Sequence, residues 1–231
     1  MINPDLEEQL KEIRSLDTYE PKSTINAEKI KLNKEEFIFF PQHKVYVARE
    51  VELKNYNWHD AEIETHNRKA RILNLREFVD FLLFLKSETI ENGLGNKLSK
   101  SEILEIYEKI IYKKGKYRAE LLNTRFVESN EGFNIHNFDS IINPDNVVKL
   151  EPCLMEDSKV NLKSFNNQGM PAEKGRDISY HCPKNNVRKS TAAIFYASYH
   201  SVGLDCNVFT YYSSPDLGSR LVYEQEFFQK I

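Results

Sequence analysis

The sequence predicts an α+β protein, with helices gathered in the first half and short antiparallel strands joined by long loops in the second. Three observations carry this. Between Asn57 and Ile110, apolar residues recur at helical spacing behind recognisable caps. Ahead of them, "EEFIFF" and "KVYVARE" flank Pro41 as two short strands flank a turn. From about residue 123 onward, short apolar runs alternate with Asn, Ser, Gly and Pro, and no long amphipathic stretch follows.

Each element has its own reason. Residues 1–34 form a polar extension, with a short helix expected near "NPDLEEQLKEIRSL", where Pro4 and the following acids suit a helix start. Residues 35–231 make up the main domain. In "NWHDAEIETHNRKA", Asn57 is placed to cap a helix, with Asp60 as its acidic partner. In "NLREFVDFLLFLKS", Leu75, Phe78, Val79, Leu82 and either Leu85 or Lys86 fall near one stripe. Phe81 and Leu83 widen it, so this helix is expected to be well buried. After the loop "ENGLGNK", Ser99 and Glu102 form a capping box. They open a third helix whose inner face is Ile103, Ile106, Tyr107 and Ile110. "YRAELLNTRFVES" fits a helix or an extended arm.

The chain of 231 residues is 40% hydrophobic and 29% charged, which supports a sizeable core and excludes global disorder. A net charge of -3 gives no general attraction to nucleic acid, and no nucleic-acid partner is expected. The opening "MINPDLEEQLKEIRSLD" lacks the basic and apolar regions of a signal peptide. "FVDFLLFLK" is too short to span a bilayer, so no membrane span is expected. Synthesis in the cytoplasm is expected, and display on a cell or a virus particle by another route stays open.

The sequence contains no GxSxG, no P-loop and no GxGxxG, so it points to no catalytic set and no cofactor. On a helix, His59, Glu62 and His66 share a face that could ligate a transition metal, but they lack the HExxH pattern. A solvated or half-buried face is the preferred reading, with Trp58 and Ala61 turned inward. Cys153, His181, Cys182 and Cys206 match no zinc-finger spacing. The sequence leaves open a zinc site, one disulfide with a spare thiol, or buried free thiols, in rising order of preference. Asp139, Asp145 and Asp157 sit in loop-like sequence and are read as hydrated acids.

Residues 190–219 stand apart. They contain no Lys, Arg, Glu, Gln, Met or Trp, yet they hold Phe195, Tyr196, Tyr199, Phe209, Tyr211 and Tyr212 among Ser, Asp, Asn, Thr, Gly and His. Tyrosine offers a large contact area for little lost entropy, while Ser and Asn add adaptable hydrogen bonds. A pair of core strands would also exclude Lys and Glu. However, "TYYSSPD" carries more hydroxyls than a core readily satisfies. A binding face is therefore preferred over buried strands.

The chain resembles the variable protein of a diversity-generating retroelement, with a C-type-lectin-type fold. "NWHDAEIETHNRKARILNLREF" (57–78) resembles that fold's Trp-x-x-Ala helix and the following loop and helix. Lys69 to Asn74 stand where the family often has a Gly-x-x-Leu-Pro-Thr-like turn. "DLGSRLVYE" (216–224) resembles the closing Gly-x-Arg strand through Gly218 and Arg220. "STAAIFYASYHSVGLDCNVFTYYSSPDLGSR" resembles the diversified regions, and a chemical argument attaches to it. In that family, errors at template adenines turn AAY codons into NNY codons, which cannot encode Lys, Glu, Gln, Met or Trp.

The resemblance implies fixed positions at Ala197, Leu204, Cys206, Pro215, Leu217, Gly218 and Arg220. It implies varied, ligand-contacting positions at Tyr196, Tyr199, His200, Ser201, Gly203, Asp205, Asn207, Phe209, Tyr211, Tyr212, Ser213, Ser214 and Asp216. Ser198, Val208 and Thr210 are assigned to neither set. The implied function is non-catalytic binding of a protein ligand. "SPD" at 214–216 does not match the calcium-dependent sugar motif of lectins, so no such sugar binding is expected. Two rival readings are an enzyme of the related formylglycine-generating type, which would need Cys182 and Cys206 near a solvent-filled pocket, and a viral structural or assembly protein, which would need a flat apolar interface over 78–110.

Overall fold

The structure, a computed structural model, describes residues 32–87, 89–111, 117–137, 147–184 and 190–230. The helix expected near residues 3–16 lies outside these. The described chain is mixed α+β, with two sheets, the larger a curled half-barrel. In chain order, the first half holds strands β1 (Phe37–Phe40) and β2 (Val45–Ala48), helix α1 (Trp58–Asn67), β3 (Arg71–Ile72), and helices α2 (Leu75–Phe84) and α3 (Lys100–Ile111). The second half holds β4 (Arg118–Ser129), β5 (Gly132–His136), β6 (Val148–Lys149), β7 (Ser158–Val160), β8 (Ile178–His181), β9 (Ser190–Ala197), β10 (Val202–Phe209), β11 (Leu217–Gly218) and β12 (Leu221–Glu224). A short helix, α4 (Gln225–Phe228), closes the described chain.

The helices begin where their caps require. Asn57 accepts hydrogen bonds from the His59 and Asp60 amides, both at 3.0 Å. Asp60 bonds the Asn57 side-chain amide rather than its backbone, so the box is only half formed. Ser99 and Glu102 form the expected reciprocal pair at the start of α3. At α2, Asn74 and Glu77 do the same, each accepting from the other's backbone N–H at 2.9 Å. α2 buries Leu75, Phe78, Val79, Phe81 and Leu82. Trp58 and Ala61 of α1 are fully buried.

The small sheet has the order β1-β2-β12-β3, which places the last strand beside one of the first. The large sheet runs β6-β5-β4-β9-β10-β8-β7, with β11 also paired to β4. Its strands depart from the antiparallel expectation twice: β8 runs parallel to β10, and β11 parallel to β4. "YRAELLNTRFVES" resolves as a strand of 12 residues. Most of β4 is buried on both faces, so it lacks the alternation that marks a half-exposed strand.

The core lies on both sides of β9. Ala193, Phe195 and Ala197 join Phe78, Phe81 and Ile106 on one side. Ala192 and Ile194 join Trp58, Leu121 and Leu217 on the other.

A buried ion pair ties the two sheets. Arg220, between β11 and β12, meets Glu120 of β4 through Nε–Oε2 and Nη2–Oε1 contacts of 2.9 Å each. The Arg220 guanidinium also donates to the carbonyl oxygens of Ala48 and Arg49 at the end of β2. Just before it, Gly218 passes so close to its neighbours that a Cβ would sit 2.3 Å from Val51 and 2.9 Å from the Leu53 carbonyl oxygen.

Replacing Arg220 by Met should leave Glu120 charged and unpaired in the interior and cost about 3–5 kcal/mol in urea denaturation. Pairing that change with Glu120→Leu should recover most of the loss.

Candidate functional site

The register of the large sheet sets out one face in rows. Ala119, Tyr196, Gly203 and Ser179 lie side by side across β4, β9, β10 and β8. The next row is Leu121, Ile194, Asp205 and His181. Paired residues point to the same side of a sheet, so these eight positions share a face. Towards α1 the face is covered: Trp58 shares one buried cluster with Ala192, Ile194 and Leu217, and its backbone N–H donates to the Thr210 carbonyl at 3.0 Å. Beyond that cover the same face opens to solvent as a patch of aromatic and ionisable side chains.

Tyr196 is the centre of the patch. Its ring stacks with Tyr117 at 6.2 Å and with His181 at 6.4 Å, and its hydroxyl lies 3.4 Å from His181 Nε2. On the far side of the imidazole, His181 Nδ1 is 3.6 Å from Asp157, which also takes the Lys184 ammonium at 2.5 Å. The Lys184 bond holds the Asp157 carboxyl down to about 2. Burial pushes the Asp205 carboxyl above its ordinary value. The Tyr117 phenol is pushed up to about 12, first by burial and then by the fields of Tyr212, Asp205, Tyr196 and Asp216. The 211–216 loop thus runs beside Tyr117, consistent with the Asp216 carbonyl accepting from the Ala119 amide at 2.8 Å.

Gly203 explains how Tyr196 reaches His181. A Cβ on Gly203 would lie 2.7 Å from both the Tyr196 hydroxyl and the Ser179 carbonyl oxygen. The missing side chain therefore makes room for the phenol to lie across β10. The expectation that Gly203 is a varied contact position is corrected on this point: it is buried, and it belongs to the framework. The other expected contact residues lie at or near the surface. Tyr199, His200, Phe209, Tyr211, Tyr212, Ser213 and Asp216 are exposed, and Tyr196, Ser201, Asp205, Asn207 and Ser214 are half-buried.

These residues do not form one cluster. Tyr199 and His200 form the tip of the β9–β10 turn, which the Ser198 side chain closes by accepting from the Ser201 amide at 3.1 Å. Tyr211 lies near α1, its ring 5.0 Å from that of His59. Of the expected fixed positions, Ala197, Leu204, Cys206, Leu217, Gly218 and Arg220 are buried, whereas Pro215 is exposed. Of the three unassigned residues, Thr210 is buried, and Ser198 and Val208 are half-buried.

Tyr117, His181 and Asp157 belong to the patch without having been assigned to it from the sequence. Tyr117 is brought in by the pairing of β4 with β9, and His181 by the parallel pairing of β8 with β10. Neither pairing leaves a local trace in the sequence. Asp157 is exposed, as expected of a hydrated acid, and is also bonded to the Cys182 amide at 3.0 Å and to Lys184; Asp139 and Asp145 lie outside the described residues.

The other candidate groups stay apart. His59 is buried and His66 exposed, so the α1 set does not converge. Among the described residues, no group of three or more His, Cys, Asp or Glu is placed to hold a metal ion. The three cysteines are free thiols. Burial pushes Cys153 and Cys182 up to about 11 and lifts Cys206 well above its ordinary value. No helix among the described residues is long and apolar enough to cross a membrane.

No protein-family model matches the chain, and neither the curated proteins nor the solved structures contain a match.

Two outcomes follow from this geometry. Gly203→Ala should displace the Tyr196 ring and cost about 1–3 kcal/mol of stability by denaturant titration. In an absorbance titration, the phenol lost in Tyr117→Phe should be one that ionises near pH 12 in the folded protein. Because the folded value is raised, Tyr117's stabilising contribution is complete below pH 10 and is lost as pH climbs towards 12.

Proposed function

We propose that this protein is a non-catalytic ligand-binding protein, diversified by adenine-directed mutagenesis, with a C-type-lectin-type scaffold and a protein ligand. One observation carries the reading. Along residues 190–219, side chains assigned to a varied set lie at the surface while those assigned to a fixed set lie inside, apart from Gly203 and Pro215. Exposed tyrosines beside small polar groups make adaptable contacts, and their desolvation would dominate affinity. The buried Trp58 and Ala61, and the Gly218–Arg220 stretch leading into β12, suit the lectin-type scaffold.

The two rival readings find less support. Cys182 and Cys206 are buried and their thiols are held protonated, which is unfavourable for a nucleophilic or redox cysteine. Residues 78–110 turn Phe78, Phe81, Leu82, Ile103 and Ile106 into the core instead of presenting a flat apolar face.

The reading is tested first in the genome. It expects a near-copy of the sequence coding for residues 190–219, differing at adenines, beside a reverse-transcriptase gene. Among gene copies, changes should gather at exposed codons such as those of Tyr199, Tyr211 and Tyr212 and spare those of Gly203, Leu204 and Cys206. Differences spread over all four bases would refute it. At the protein level, Tyr211→Ala with Tyr212→Ala should lower the affinity of any selected protein ligand at least tenfold, while the circular dichroism spectrum stays unchanged.

A further inference from the structure

The open patch has a chemistry that selects among protein ligands. Tyr117 and Tyr196 present two nearly parallel rings, 24° apart in plane, and Tyr212 lies close enough to affect the Tyr117 phenol. Tyr117 and Tyr212 are both exposed, so these rings are not spent on the core. Around them stand the carboxylates of Asp205 and Asp216. Neither makes a direct ion pair among the described residues; Lys184 bonds Asp157 instead, though its field and that of His181 reach Asp205. Arg118, the basic residue next to Tyr117, donates to the Glu108 carbonyl at 2.8 Å and lines one cleft with Asp216. Residues 190–219 contain no Lys or Arg of their own.

An aromatic platform edged by unmatched carboxylates attracts a cation. A guanidinium suits it better than an ammonium, because its plane stacks on a ring while its N–H groups reach carboxylates in the same plane. The same field repels phosphate, which disfavours nucleic acid.

We propose that this face seats an arginine side chain of the protein ligand, stacked on Tyr117 and Tyr196, with Asp205 and Asp216 supplying the carboxylates. This rests on the binding reading above and adds two things to it: the chemistry of the contact, and a role for Tyr117, which lies outside the 190–219 segment. Tyr117 would be a constant part of the face whatever the neighbouring positions become.

The test is an amide NMR titration of the whole protein with acetyl-Gly-Arg-Gly-amide. The same peptide with citrulline, which keeps the shape and removes the charge, and with glutamate serve as comparisons. The arginine peptide should shift the amides of Tyr117, Tyr196, Asp205 and Tyr212 together, with saturation in the millimolar range. The citrulline peptide should bind about tenfold more weakly. Asp205→Asn with Asp216→Asn should bring the arginine peptide down to the citrulline level. Tyr117→Phe should retain binding, and Tyr117→Ala should weaken it several-fold, each checked against a dispersed folded spectrum. Equal binding of arginine and citrulline peptides, or stronger binding of the glutamate peptide at these amides, would overturn the arginine assignment and leave the face a binding surface. Absence of localised shifts with all three peptides would also overturn it. The pattern of gene variation judges the broader binding reading separately.

Discussion

The pairing of Arg220 with Glu120 is the contact on which the rest of the arrangement depends. Glu120 lies in β4, beside the central strand β9 of the large sheet, and Arg220 lies where the chain leaves that sheet for the small one. The same guanidinium holds the Ala48 and Arg49 carbonyls at the end of β2. Four points of the chain are thereby fixed around one buried charge, which is costly to bury unless all of its donors are used. Gly218 allows the backbone to approach closely enough for this to happen. The consequence for function is local. Beyond the buried Thr210, the loop from Tyr211 to Asp216 is anchored at one end by β10 and at the other by β11 and Arg220. Its side chains can face water without having to hold the fold together.

The open patch arises from the same economy. One face of β9 is continuous from Ala192 through Ile194 to Tyr196. Trp58 and the Thr210 backbone cover the first part, and nothing described covers the last. Where the cover ends, the residues change from Ala and Ile to Tyr, Asp and His. Gly203 removes a side chain at the boundary and lets Tyr196 cross to His181. A framework built in this way separates two demands. The buried residues answer to packing, where one methyl group matters, and the exposed ones answer to whatever the face contacts.

Much of this was legible in the sequence, for physical reasons that differ from element to element. α1, α2 and α3 were visible because caps and 3.6-residue spacing are local signals, as Asn57, Ser99 and Glu102 illustrate. The surface character of Tyr211 and Tyr212 was visible because the many hydroxyls of their stretch cannot be buried without partners. β4 was not assignable, because a strand buried on both faces has no period to read. The parallel pairings of β8 with β10 and of β11 with β4 join residues distant in sequence, and they alone bring His181 and the 211–216 loop to the patch. Gly203 read as a small, variable residue because the neighbour that forbids a Cβ, the Ser179 carbonyl, belongs to another strand.

The account stands on the claim that the exposed side chains of residues 196–216 are free to change while the framework beneath them is not. The most direct measurement is thermal unfolding across a small library in which Tyr199, His200, Tyr212, Ser213 and Asp216 are randomised together to residues encoded by NNY codons. Most members should unfold cooperatively within a few degrees of the parent. A library in which most members fail to fold would contradict the claim, because it would place those side chains in the structure instead of on it.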